Sequence, residues 1–176
     1  MLQLIAIGIN IILIFALIFV IYSYLLPPLI GAPFVPTGSE RVTAMVRLAN
    51  VRPGERSMDI GSGDGRIVSA FAKAGALAEG CEINPMLVLQ SRLSLKRAGA
   101  RGRIHWKSFR STDFKGFDII TIYGLPGIMQ SLERELYDAL PEQGRVISHK
   151  FQFPNWKPET REGDILVYLK KPGVLG

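Results

Sequence analysis

Charge is what the start of this chain lacks. No Asp, Glu, Lys or Arg occurs before Glu40. Cysteine is nearly absent as well. The lone Cys81 excludes an internal disulfide and reads as a small buried apolar residue. Histidine occurs only at His105 and His149, and no His, Cys, Asp and Glu fall together at metal-ligand spacing, so no metal is expected. Neither internal repeats nor low-complexity tracts are present, which sets aside a repeat architecture.

The uncharged start is filled instead by apolar residues. From Leu2 to Leu26 only Gln3, Asn10 and Ser23 are clearly polar. Twenty-five helical residues reach roughly 37 Å, enough to cross a ~30 Å hydrocarbon core with tilt. Tyr22 and Tyr24 sit at one end, where aromatic rings favour the membrane interface. Pro27-Pro28 predicts the end of the helix. A cleaved signal peptide is the rival reading, but the run lacks a basic leader, is too long, and is followed by no clean A-x-A-like site. The expected organisation is a transmembrane anchor over residues 1–26, a Pro/Gly linker over 27–39 and one domain over 40–176.

All 21 Lys and Arg follow the apolar run, which predicts a single-pass protein with its globular part on the cytoplasmic side. The net charge of +6 reads as a solubilising surface that also suits anionic lipid headgroups, and nucleic acid is not an expected partner.

Along the domain, strands and helices alternate. Ser39 is placed to cap a helix from about Glu40, with Val42, Met45, Val46 and Ala49 on one face. A strand ending at Ile60 is followed by a helix over Ile67 to Ala74. A second strand, Ala78 to Ile83, precedes a helix from Pro85 through Arg97, with proline at its first position. Arg103 to Lys107 is a third strand. Phe117 to Tyr123 is a fourth, the most apolar and so central. A helix over Ile128 to Leu140 and a strand over Arg145 to His149 follow. Asp164 to Leu169 closes the chain, with a short partner near Lys157 to Arg161. Such alternation predicts an α/β, Rossmann-like, doubly wound and mostly parallel sheet. The last two strands lack an intervening helix, which predicts an antiparallel edge hairpin.

The most informative stretch is Asp59-Ile60-Gly61-Ser62-Gly63-Asp64-Gly65-Arg66, where the first strand runs into a glycine-rich turn. Ligands of such sheets bind beyond the carboxyl ends of the strands. Glu82 ends the neighbouring strand, where a carboxylate can accept hydrogen bonds from ribose hydroxyls. The dinucleotide fingerprint G-x-G-x-x-G needs a third glycine where this chain has Arg66. Asp59 and Asp64 make the turn acidic, unfavourable to a pyrophosphate. A ligand with a sulfonium, an ammonium and a ribose but no phosphate, S-adenosylmethionine, suits it better.

With those residues in place, the chain resembles the seven-strand, Rossmann-like methyltransferases over essentially everything after the apolar run. More narrowly, it is similar to the membrane-anchored protein-lysine methyltransferases that modify the c-ring protein of the ATP synthase and the adenine nucleotide translocase. The shared elements are P-F-V-P-T at Pro33 to Thr37, D-I-G-S-G-D-G-R, G-C-E-I-N-P, Ser91-Arg92 and F-P-N-W-K-P at Phe153 to Pro158. The resemblance implies that the backbone at Gly61, Ser62 and Gly63 passes under the methionine part, that Asp64 and Gly65 complete the cofactor-binding turn, and that Asp59 engages the amino group, directly or through water. It implies that Glu82 holds the ribose, with Ile83 and Asn84 beside the adenine. Relatives carry an Asp-Leu-Trp-like triplet where this chain has Ser108-Phe109-Arg110, so Ser108 takes the adenine contact without a charge, next to Phe109.

The methyl acceptor is expected near Tyr123-Gly124-Leu125-Pro126, with Tyr123 the candidate catalytic residue and a lysine of a membrane protein the candidate substrate. His105 and Trp156 read as a strand residue and a packing residue, and His149 as a residue that could face the cleft. Small-molecule or lipid methylation, and a non-catalytic S-adenosylmethionine-binding scaffold, are the alternatives.

Overall fold

The structure, a computed structural model, describes residues 1–30, 35–124, 126–171 and 173; the side chains of Leu2 and of residues 22–30 lie outside that description, as do Pro33, Phe34 and Leu125 of the motifs above. The chain divides into two units, Met1–Phe34 and Val35–Gly176.

The first unit contains one helix, α1 (Leu2–Ile30). Its window Gln3–Ile21 has a mean hydropathy of 3.2 and none of it is buried. By length and composition it is able to cross a bilayer. It continues past Pro27-Pro28, where the sequence predicted its end. Proline already holds a helical φ, so the cost is limited to missing N–H donors and crowding one turn back.

The second unit is a seven-stranded sheet in the order β3-β2-β1-β4-β5-β7-β6. Its strands are β1 (Arg56–Ile60), β2 (Leu77–Glu82), β3 (Arg103–Trp106), β4 (Ile119–Ile122), β5 (Arg145–His149), β6 (Thr160–Glu162) and β7 (Ile165–Leu169). The first five pair in parallel, β7 runs antiparallel to β5, and β6 pairs antiparallel with β7 at the edge. β4 is central, and all four of its residues, Ile-Ile-Thr-Ile, are buried. The doubly wound expectation and the antiparallel end both hold. The chain reverses at β1, leaving the carboxyl ends of β1 and β4 side by side.

The helices are α2 (Ser39–Ala49), α3 (Arg66–Lys73), α4 (Pro85–Arg97) and α5 (Pro126–Ala139). Two apolar clusters cover the two faces of the sheet. One joins α2, α3 and α4 through Met45, Phe71, Val88 and Leu95 to Ile119 and Ile147. The other joins α5, through Leu132 and Leu136, and Leu140 just beyond it, to Ile120, Phe153, Trp156 and Tyr168. Ile119 and Ile120 belong to opposite clusters because successive strand side chains alternate faces. Ser39 is the first residue of α2 rather than its cap. Gly38 occupies the cap in extended backbone, with no side-chain hydrogen bond.

Candidate active site

The turn after β1 is closed by its own backbone and by β2. Gly61 N and Ser62 N both donate to Cys81 O at 3.0 Å, and Gly65 N donates to Ser62 O at 2.8 Å. Gly61, Gly63 and Gly65 all have positive φ, at 72°, 54° and 79°. At Gly65 the requirement is double: a Cβ there would sit 2.8 Å from Ser91 Cβ on α4 as well as in left-handed backbone. Gly80 on β2 answers to the same turn, since a Cβ at that position would lie 2.6 Å from Ser62 Cβ. Ser62 Oγ is buried there with no hydrogen-bond partner among the described residues.

Two carboxylates flank the turn and are buried. Asp59 on β1 accepts from Thr121 Oγ1 at 2.6 Å, its register partner on β4. Burial pushes the Asp59 carboxyl up to about 7, with Glu82 and Asp64 adding to the rise and Thr121 opposing it. No cation among the described residues offsets that rise. Glu82 accepts from Gly63 N at 3.0 Å through one oxygen and from Asn84 N at 2.8 Å through the other. A carboxylate has about four acceptor positions, so each oxygen keeps one for a ligand hydroxyl.

Asp64 behaves differently from the expectation drawn from the sequence. Its carboxylate is taken up by Arg66, with Nε at 2.9 and 3.0 Å from the two oxygens and Nη2 at 2.5 Å. The acidity the turn offers a ligand therefore comes from Asp59 and Glu82, and these two disfavour a pyrophosphate. Arg66 also donates to Thr37 O at 2.8 Å, tying the V-P-T segment to the turn.

The adenine-side candidates line up beyond β2 and β3. Glu82 faces Trp106 in register, and Lys107 N donates to Glu82 O at 3.1 Å. Asn84 caps α4, accepting from Met86 N, and Trp106 Nε1 donates to Ile83 O at 3.0 Å. Ser108 caps the 3-10 turn Phe109–Ser111, its Oγ accepting from Arg110 N at 3.2 Å. Phe109 packs partly buried against the α5-side core.

Tyr123 lies just past β4. Its ring is 4.3 Å from that of His149 and 6.0 Å from that of Phe151. His149 Nδ1 is 3.5 Å from Thr37 Oγ1, and burial, with Arg41 nearby, lowers the His149 pKa. The structure thus groups Thr37, Tyr123, His149 and Phe151 at the ends of β4 and β5. Thr37, Arg66 and Phe151 had no individual role assigned from sequence; Thr37 and Arg66 were signalled only as members of the shared P-F-V-P-T and D-I-G-S-G-D-G-R elements, and Phe151 only by lying just past the fifth strand. His105 is a strand residue paired with Glu79 at 2.7 Å. Trp156 is 1% exposed among Tyr137, Phe153 and Tyr168. Both are as expected. Among the described residues no group of three His, Cys, Asp or Glu could hold a metal.

A glycine turn flanked by two buried carboxylates, at the carboxyl end of a 3-2-1-4-5-7-6 sheet, defines a Rossmann-like methyltransferase. The fold matches a crystal structure described as an RNA methyltransferase from Salinibacter ruber in complex with S-adenosyl-L-homocysteine, with a TM-score of 0.74 and 33% identity over 78% of this chain and 95% of that one. The chain belongs to the ANTKMT methyltransferase domain family, which matches residues 59–160. It is 34% identical over 141 residues to the adenine nucleotide translocase lysine N-methyltransferase of Mus musculus, covering 78% of this chain and 61% of that protein. A second Mus musculus relative, the lysine N-methyltransferase named for the c-ring protein of the ATP synthase, is 41% identical over 134 residues, covering 75% and 54%. A protein-lysine N-methyltransferase of Saccharolobus islandicus is 30% identical over 131 residues, covering 72% and 81%. The match thus spans about half to three-fifths of the length of the mouse proteins.

Proposed function

We propose that this chain is an S-adenosylmethionine-dependent protein-lysine N-methyltransferase tethered to a membrane by α1. One observation carries the cofactor assignment. Asp59, buried and raised to about 7, faces the same turn as Glu82, whose oxygens keep free acceptor positions. An ammonium answers the first carboxyl and a ribose the second. Gly61, Ser62, Gly63, Asp64 and Gly65 shape the turn beneath, and Ile83, Asn84, Ser108 and Phe109 line the side assigned to adenine. When bound, the cofactor supplies an electrophilic methyl group.

The residues of this chain position the acceptor and dry its surroundings. A lysine amine has an ordinary pKa near 10.4 and attacks only after losing its proton. The Tyr123–His149–Phe151 cluster offers a half-buried aromatic wall, and the Tyr123 hydroxyl can accept a hydrogen bond from the amine. Alignment of nucleophile and methyl is the main task in a direct displacement. The names of the mouse and Saccharolobus relatives support a lysine acceptor. The apolar run of α1 supports a membrane location, and the Lys and Arg beyond it support a cytoplasmic domain and an acceptor on a membrane protein.

An RNA acceptor is the second reading, favoured by the Salinibacter structure, which this chain covers almost entirely. Incubating membranes and total RNA with radiolabelled cofactor and the full chain separates the two. Label in a protein band, located on lysine by mass spectrometry, is the expected result. Label confined to RNA overturns it.

A further inference from the structure

Cations in this protein are divided sharply along the chain. Every ion pair among the described residues lies outside residues 85–112 except His105 with Glu79; examples are Arg47 with Glu162, Arg66 with Asp64 and Arg145 with Glu55. Residues 85–112 contain no Asp or Glu at all. They carry Arg92, Lys96 and Arg97 on α4, Arg101 in the loop after it, Arg103 on β3, and Lys107 and Arg110 beyond. The net charge of +6 is therefore concentrated on one segment.

That segment forms one margin of the domain. β3 is the edge strand, and Arg92 on α4 donates to its Ile104 carbonyl from Nη2 at 2.9 Å and Nε at 3.2 Å. Leu89, Arg92, Leu93 and Lys96 recur at the spacing of one helix face. Leu89 is 55% and Leu93 43% exposed. Trp106 is 61% exposed, although its Nε1 is satisfied by Ile83 O. Apolar side chains set among cations without ion-pair partners match the bilayer interface, where headgroups are anionic and Trp and Leu enter the acyl boundary.

We propose that the α4–β3 margin is a docking surface for an anionic lipid bilayer, with Lys96, Arg97, Arg101 and Arg103 among the headgroups and Leu89, Leu93 and Trp106 at the acyl boundary. This role goes beyond methyl transfer and is independent of the acceptor, though it relies on α1 to deliver the domain to a bilayer. The run Arg103 to Arg110 also places His105, Trp106 and Phe109 among cations, a pattern suited to single-stranded nucleic acid. Exposed Leu89 and Leu93 have no use against stacked bases and favour the bilayer.

The full chain, reconstituted in phosphatidylcholine vesicles with and without phosphatidylserine, tests this through Trp106 emission, isolated by difference from Trp106→Phe. Expected are a blue shift, and quenching by brominated acyl chains, only where phosphatidylserine is present, both reversed by raising the salt. A basic residue near an anionic surface contributes roughly fivefold in partitioning, so Lys96→Gln/Arg97→Gln/Arg101→Gln should weaken docking on the order of a hundredfold and return the emission to its neutral-vesicle value. Leu89→Ala/Leu93→Ala should reduce the quenching while leaving every charge in place. A chain that floats with both vesicle types but shows no serine-lipid-dependent change overturns the docking surface alone. A chain that floats with neither overturns the anchor and docking together. An RNA oligonucleotide that reproduces the shift in detergent, with no response to phosphatidylserine, assigns the surface to nucleic acid instead.

Discussion

At the scale of the residue, the two carboxylates of the turn have different physical problems. Asp59 has a folded pKa of about 7 against an ordinary 3.8. A raised carboxyl favours the fold below its unfolded value, and that contribution is lost as pH climbs from about 4 through 7; three units correspond to on the order of 4 kcal/mol. In the proposed site a ligand ammonium supplies the missing charge. S-adenosylmethionine should therefore raise the melting temperature more at pH 8 than at pH 6. Asp59→Asn should melt higher than the parent at pH 8 without ligand and show no such pH dependence. Thermal-shift measurements at both pH values check this, and an Asn variant less stable than the parent at pH 8 counts against it.

Glu82 already accepts two backbone N–H groups, so its charge holds the turn, and in the proposed site it also receives the ribose. Glu82→Gln should weaken cofactor binding ten- to a hundredfold, since a hydrogen bond to a charged group is worth about 1.5–3 kcal/mol. Calorimetry reads this directly, and unchanged affinity would remove the ribose role. Tyr123→Phe keeps the ring beside His149 but removes the hydroxyl. It should leave the melting temperature and cofactor affinity unchanged while lowering kcat by roughly 10²-fold, measured on an acceptor peptide or membrane fraction.

At the scale of the element, Glu133 shows how a helix secures the C-terminal motif. It is buried on α5, and its carboxylate accepts from Asn155 N at 2.6 Å, from Asn155 Nδ2 at 2.8 Å and from Trp156 N. The F-P-N-W segment is thus pinned through its backbone while Trp156 fills the core. Glu133→Ala should destabilise the domain by about 3 kcal/mol, because buried donors lose their acceptor. Urea unfolding measures it, and a loss below half that size would mean the segment finds other partners.

Strand positions were legible in the sequence because apolar runs were bounded by Pro and Gly; β5 falls where it was expected, and α4 matches residue for residue. The cap of α2 was not, because Ser39 and Gly38 are equally plausible until the chain direction before them is known. Likewise β6 and β7 read as a pair, but only the sheet reveals that the largely buried β7 lies inside and the exposed β6 forms the edge.

At the scale of the whole molecule, the proposed role of α1 is that of a tether, which acts through effective concentration. Deleting residues 2–30 should leave cofactor affinity unchanged. It should lower the methylation rate of a membrane-embedded acceptor by on the order of 10²-fold, with little change on a soluble peptide carrying the same lysine. Equal loss on both would overturn the tether reading of α1.

The order of residues was enough to specify the apolar helix, the succession of strands and helices, the glycine turn and the Asp59–Glu82 pair. These are local matters of hydropathy, periodicity and glycine backbone, read over a few residues or between neighbouring strands. Folding in three dimensions was needed to bring Thr37 to Arg66 and His149, and to set His149 beside Tyr123. It also gathers the acid-free stretch from Pro85 to Thr112 on one margin with Trp106 exposed. Such contacts join residues up to 112 positions apart in the chain. Their physical cause is the parallel sheet, which brings the carboxyl ends of distant strands to one edge, and no local pattern records it.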